Sequence, residues 1–146
     1  MTITPHSTHD EPVVQSPHPT TRRLVRTGAL AGAVAAVCTT VVAAIARAAD
    51  VSLEVDNKAI PIPAFAWWTI VGAGLGVVLA RLLRQRRRFV VVTAIAVGLS
   101  LIPAIAAPDH TATKVVLVGA HVVAAGIIIP TLSRLLTAAA RRVSDC

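Results

Sequence analysis

The sequence predicts an all-α fold: a four-helix transmembrane bundle preceded by a disordered N-terminal tail. Three observations predict it. Apolar residues make up 55% of the chain and charged residues only 14%, which is too little charge to cover a soluble domain. The apolar residues gather into four runs, Thr27–Ala46, Ala64–Leu83, Phe89–Ala107 and Val115–Leu136, and none of these contains an acidic residue. Each run has roughly the 20 residues needed to cross the hydrocarbon core of a bilayer. Finally, the apolar set is dominated by Ala, Val, Leu and Ile, with no Tyr. That mix suits helices, whereas membrane strands alternate in polarity and carry aromatic girdles.

Residues 1–23 contain Pro5, Pro12, Pro17 and Pro19, three histidines and no apolar periodicity. Such a segment buries too little surface to offset chain entropy, so a disordered cytoplasmic tail is expected. His6 and His9 would share a metal only on a helix, and the prolines argue against one. The membrane domain is expected over residues 24–137, with 138–146 as a short basic tail.

The first run has a rival reading. "TRRLVRTG", an apolar stretch and "ARAAD" together have the features of a twin-arginine export signal. Arg22 and Arg23 would be the pair, and Ala46 and Ala48 the small residues before a cut. The apolar stretch exceeds the ~7–15 residues of a signal core, and three more spans follow, so an uncut helix is expected. Gly28, Gly32, Ala36, Thr40, Ala44 and Ala48 recur along it every four residues. In the second run Gly72 and Gly76 stand in a G-x-x-x-G spacing. Small residues let membrane helices approach closely. Gly28, Gly32, Ala36, Gly72 and Gly76 are therefore candidate packing positions, within the bundle or between protomers. Cys38, mid-span, reads as a small hydrophobe, and Cys146 lies too far away to pair with it.

Between the first two runs, "DVSLEVDNKAIPIP" alternates polar and apolar residues. Period two predicts an extended segment at the membrane interface. Pro61 and Pro63 predict that regular helix waits until Ala64. Trp67 and Trp68 then fall where an interfacial aromatic belt belongs.

Charge sets the orientation. With the N-terminus in the cytoplasm, eleven of the fourteen basic residues lie inside, and only Arg47, Lys58 and Lys114 lie outside with most of the acids. The positive-inside rule then predicts cytoplasmic N- and C-termini in the bacterial inner (plasma) membrane. Arg84, Arg86, Arg87 and Arg88 form a short inner loop expected to fix topology and contact anionic lipid head groups. The loop lacks interleaved aromatics for stacking bases, so no nucleic acid is expected.

In the fourth run, His121, Lys114 and His110 share one face if the helix starts at an Asp109 N-cap. This is the candidate polar face. No span offers an Asp or Glu partner for His121, and no second histidine lies at its depth to share a haem. His110 and His121 would sit ~16 Å apart along a helix, too far to share a metal. The expected role of His121 is a hydrogen bond to a Thr or backbone carbonyl of a neighbouring helix. The alternative is a small transporter or proton-coupled permease with His121 at the base of an outward-facing polar face. Pro130 crowds the residue four before it, which is Gly126, and Pro103 leaves the Leu99 carbonyl without its helical donor.

The runs "IPAIAAPDHTATKVVLVGAHVVAAGIIIPTLSRLL" and "IPIPAFAWWTIVGAGLGVVLARLLRQRRRF" resemble a family of small four-span bacterial integral membrane proteins of unassigned function. Thr111 to Thr113, His121 and Pro130 before a basic end carry the resemblance, which covers residues 22–137. It implies the four-span architecture and no activity. The sequence has no nucleophile–base pair, paired carboxylates or phosphate-binding loop, so neither an enzyme nor a cofactor is expected. The expected role is a non-enzymatic structural or accessory subunit acting by helix–helix association, as a homo-oligomer or with a membrane-protein partner.

Overall fold

The computed structural model describes residues 21–55, 58–83 and 85–144. Helix α1 spans Thr21–Ala48, and a hairpin of β1 (Glu54–Val55) and β2 (Lys58–Ala59) follows it. Three more helices complete the chain: α2 (Ile62–Leu83), α3 (Arg86–Ala106) and α4 (Thr111–Ser144). All four helices are long and apolar enough to cross a membrane. The chain is a four-helix, multi-pass membrane protein.

The helices outrun the apolar runs that predict them. Hydropathy marks where hydrocarbon ends, but helical hydrogen bonds continue into the head-group layer. Thr21–Arg23, expected in the tail, already belong to α1, and the basic stretch after Leu136 continues α4 to Ser144. The rest of the predicted tail, with His6 and His9, lies outside the described residues, as does Cys146. Pro61 and Pro63 do not delay α2 to Ala64; it begins at Ile62. Pro63 sits in the first turn, where a missing N–H costs no intrahelical bond. Likewise α3 begins at Arg86, and Gln85 in extended conformation (φ −100°, ψ 125°) precedes it.

A Schellman turn ends α1. The Val51 N–H donates to Ala46 O at 3.0 Å and the Asp50 N–H to Arg47 O at 3.2 Å, with Asp50 at φ 55°. These are the bonds that close a helix through a left-handed residue. The segment then runs extended, as period two predicts, but it folds back on itself. Glu54 pairs with Ala59 and Val55 with Lys58, antiparallel. Leu53 plugs the hairpin onto Ala43 and Ala46, with Phe65 and Val116 packed around them.

At the opposite end of the bundle, Leu24 from α1, Ala80 from α2, Phe89 from α3 and Leu132 and Leu136 from α4 form one buried cluster. Between the two ends α1 packs mainly on α2 and α4, while α3 lies to the side against α4 and α2. Only Phe89 and Ala104 of α3 are buried.

Candidate functional site

The closest approach in the bundle is a seam of small residues between α1 and α2. A Cβ added at Gly28 would stand 2.1 Å from Val77 Cγ2, and one at Gly32 would stand 2.7 Å from Ala73 Cβ. Ala36 is buried beside them. Gly76 faces α4, where an added Cβ would meet Ile128 and Leu132 at 3.4 and 3.5 Å. Gly72 does not belong to this seam: nothing lies within 4 Å of its missing side chain. Two positions further along the predicted stripe, Ala44 and Ala48, are exposed and lie outside this intrachain seam. A strict four-residue step drifts about 40° per step around a helix. The buried face instead runs through Ala31, Ala35, Thr39, Ala43 and Ala46 at mixed three- and four-residue steps.

Halfway along the seam lies a polar contact that the sequence reading did not single out. The hydroxyls of Thr39 and Thr69 are 3.0 Å apart, and both residues are buried. Thr69 also lies 2.6 Å from Phe65 O, and Thr39 lies 3.1 Å from Ala36 O. Two hydroxyl protons cannot serve three bonds. Thr69 donates to Phe65 O at the shorter distance, and the Thr39 hydroxyl has both Ala36 O and Thr69 Oγ1 within reach of its one hydrogen. The hidden signal was that Thr39 lies on the 3.6-residue face shared with Gly32 and Ala43.

On α4 the three candidate polar residues separate. His110 is exposed and precedes the helix, its carbonyl accepting the Lys114 N–H at 3.2 Å. The helix therefore starts one residue later than the Asp109 cap predicts. Lys114 and His121 are half-buried. His121 Nδ1 lies 2.8 Å from Leu117 O, one turn back on its own helix. This corrects the expected bond to a neighbouring helix; helical side chains lean toward the N-terminus and bring Nδ1 over that carbonyl. A carbonyl only accepts, so Nδ1 carries the hydrogen of this bond. The nearby Thr113 hydroxyl donates instead to Ser52 O, tying α4 to the chain leaving α1.

A shallow groove of about 480 Å³ runs along the N-terminal half of α4, lined by Lys114, Val115, Val118, Gly119, Val122 and Val123. Every lining residue belongs to that one helix, so the groove opens away from the bundle and not between helices. His121 does not line it. Pro103 and Pro130 sit inside α3 and α4, which run on past them. Among the described residues no group of three His, Cys, Asp or Glu side chains is placed to hold a metal ion. Cys38 is half-buried with a free thiol.

Arg86, Arg87 and Arg88 are exposed on the first turn of α3, so the expected inner loop is largely helix. Arg84 lies outside the described residues.

The model of a family of unknown function, DUF6069, matches residues 19–138. The chain belongs to that family. The DUF6069 match takes in α1, the hairpin, α2, α3 and α4 as far as Ala138, so the seam, the Thr39–Thr69 contact and His121 all fall inside the family's own domain. No curated protein and no solved structure matches the chain.

Proposed function

We propose that this DUF6069 chain is a non-enzymatic membrane protein that works by lateral helix–helix association, as a homo-oligomer or as an accessory subunit of a larger membrane protein. One observation carries the reading. Of its eight glycines, five (Gly72, Gly74, Gly98, Gly119 and Gly126) have nothing within 4 Å of the missing side chain. They lie on three different helices; Gly72, Gly74, Gly98 and Gly126 are exposed and Gly119 is half-buried. Small residues on a lipid-facing surface are where another helix backbone can come close. Gly119 opens the groove on α4 between Val115 and Val122.

The arginine-rich end, where α1 begins and α4 ends, faces the cytoplasm in this reading, because Arg and Lys excess marks the inner side. A reporter fused to either terminus and found outside the cell would reverse it. The association test is native mass measurement in detergent and in nanodiscs. The wild type is expected as an assembly, and Gly119→Leu with Gly126→Leu is expected to give a folded monomer. A wild type that is strictly monomeric and binds no partner, or variants that assemble unchanged, would overturn the proposal.

A second reading, a small proton-coupled transporter, has one supporting observation: an ionisable side chain, His121, half-buried within α4 and bonded through Nδ1 to its own helix. Equal proton-linked fluxes from wild type and His121→Ala in vesicles would remove it.

A further inference from the structure

The buried cluster at the arginine-rich end is ringed by guanidinium groups. Arg22, Arg23 and Arg26 flank Leu24 on α1, and Arg81 follows Ala80 on α2. Arg86–Arg88 lead into Phe89 on α3, and Arg134 sits between Leu132 and Leu136 on α4. All eight are exposed. The described acids, Asp50, Glu54 and Asp109, all lie at the other end, beside the hairpin and before α4. Packing Leu24, Phe89 and Leu132 together therefore gathers eight cations with no carboxylate among the described residues to offset them.

Local electrostatics makes the gathering worse. Arg22 and Arg26 are four residues apart on one helix, a spacing at which like charges repel. The first turns of α1 and α3 contain no acid and carry arginines where the helix dipole favours anions. The arrangement calls for an external counter-ion. Its chemistry is legible in the side-chain choice: both lysines of the chain, Lys58 and Lys114, are at the opposite end, and this end is arginine throughout. Guanidinium binds phosphate oxygens in a two-pronged fork, whereas ammonium acts as a point charge. Arg23 and Arg88 each adjoin a residue buried in the apolar cluster, so the cations stand where the apolar helices end.

We propose that this end is a binding collar for the phosphate groups of anionic phospholipids, which serve as its counter-ions and hold the four helix ends together. The collar does more than fix topology: the bundle closes fully only where such lipids are present. It is independent of lateral association, because it acts within one chain.

The test uses the full chain in nanodiscs of neutral phosphatidylcholine and in nanodiscs containing phosphatidylglycerol. The readouts are thermal unfolding and hydrogen exchange at the starts of α1 and α3. The melting temperature of the wild type is expected to rise with the phosphatidylglycerol fraction, and exchange to slow at both helix starts. About 0.5 M salt should remove most of the rise, because exposed charges are screened within a few ångströms there. Joint replacement of Arg86, Arg87 and Arg88 by Gln, three of the eight, should lose roughly three-eighths of the rise, while Arg47→Gln, at the other end, should keep all of it. Equal wild-type stability in both lipids overturns the proposal without recourse to any variant. So does an equal rise on adding inorganic phosphate to neutral nanodiscs, which would make the ligand a soluble anion. Oligomeric state, read in parallel, separates failure here from failure of the association reading.

Discussion

Gly32→Ala puts the α1–α2 seam to its sharpest test. The added Cβ would meet Ala73 Cβ at 2.7 Å, and carbon atoms in contact prefer about 3.5 Å or more. Neither atom can rotate away, because each is fixed to its own backbone. The helices must part by roughly 0.8 Å at this point of the seam. Overpacking of this kind costs about 1–3 kcal/mol, and alanine's better helix propensity returns up to ~1 kcal/mol. The expected net loss is about 1–2 kcal/mol. The reciprocal change Ala73→Gly should cost about 1 kcal/mol alone. Combined, the two changes merely move one methyl group across the seam, so the double variant should return to within about 0.5 kcal/mol of wild type. Equilibrium unfolding in mixed micelles, followed by the helical circular dichroism signal, measures all four proteins. A Gly32→Ala protein at least as stable as wild type, or single effects that simply add, would refute the close-approach argument. Gly72→Ala is the control: with open space around it, it should be neutral or slightly stabilising.

Thr39→Val and Thr69→Val should each cost about 0.6 kcal/mol, with strong coupling between them, since they share one interhelical bond; the same micelle unfolding gives the cycle. Phe89→Ala should cost about 2–3 kcal/mol, because the ring is fully buried where all four helices meet. That is less than in a soluble core, since the unfolded reference in lipid keeps the side chain in hydrocarbon. Asp50→Val should lose about 1–2 kcal/mol by forcing a β-branched residue into the left-handed turn that ends α1. Asp50→Gly should cost nothing there.

The four helices were legible because lipid imposes a single requirement, a long run of apolar residues with its backbone bonds satisfied internally. Their ends were less legible, because Thr21, Arg86 and Ser144 lie beyond the apolar runs, where hydropathy no longer reports on helix. The small-residue stripe was half legible. Gly28, Gly32 and Ala36 lie in the seam, but counting by four carried the stripe off the buried face at Ala44. The hairpin hid in plain alternation: "VDNK" places two turn-forming residues between paired strands, yet period two alone reads as one extended piece. His121 was legible as unusual, while its partner was not. Whether a histidine reaches its own Leu117 carbonyl or a neighbour's depends on rotamer and helix crossing, neither of which sequence spacing states.

A membrane protein's exterior carries information differently from a soluble protein's. Exposed Val115, Trp67 or Leu99 on this bundle implies no partner, since lipid tails solvate apolar side chains as well as another protein would. An exposed glycine is another matter. It weakens its helix by up to about 1 kcal/mol relative to alanine, and lipid returns nothing for the missing methyl group. Gly28, Gly32 and Gly76 recover that loss inside the chain by admitting Val77, Ala73 and Leu132. Gly72, Gly74, Gly98, Gly119 and Gly126 recover nothing within it. Five uncompensated positions on three helices make sense when another backbone closes over them. Under the association proposal these five glycines, rather than His121, are the positions to vary first.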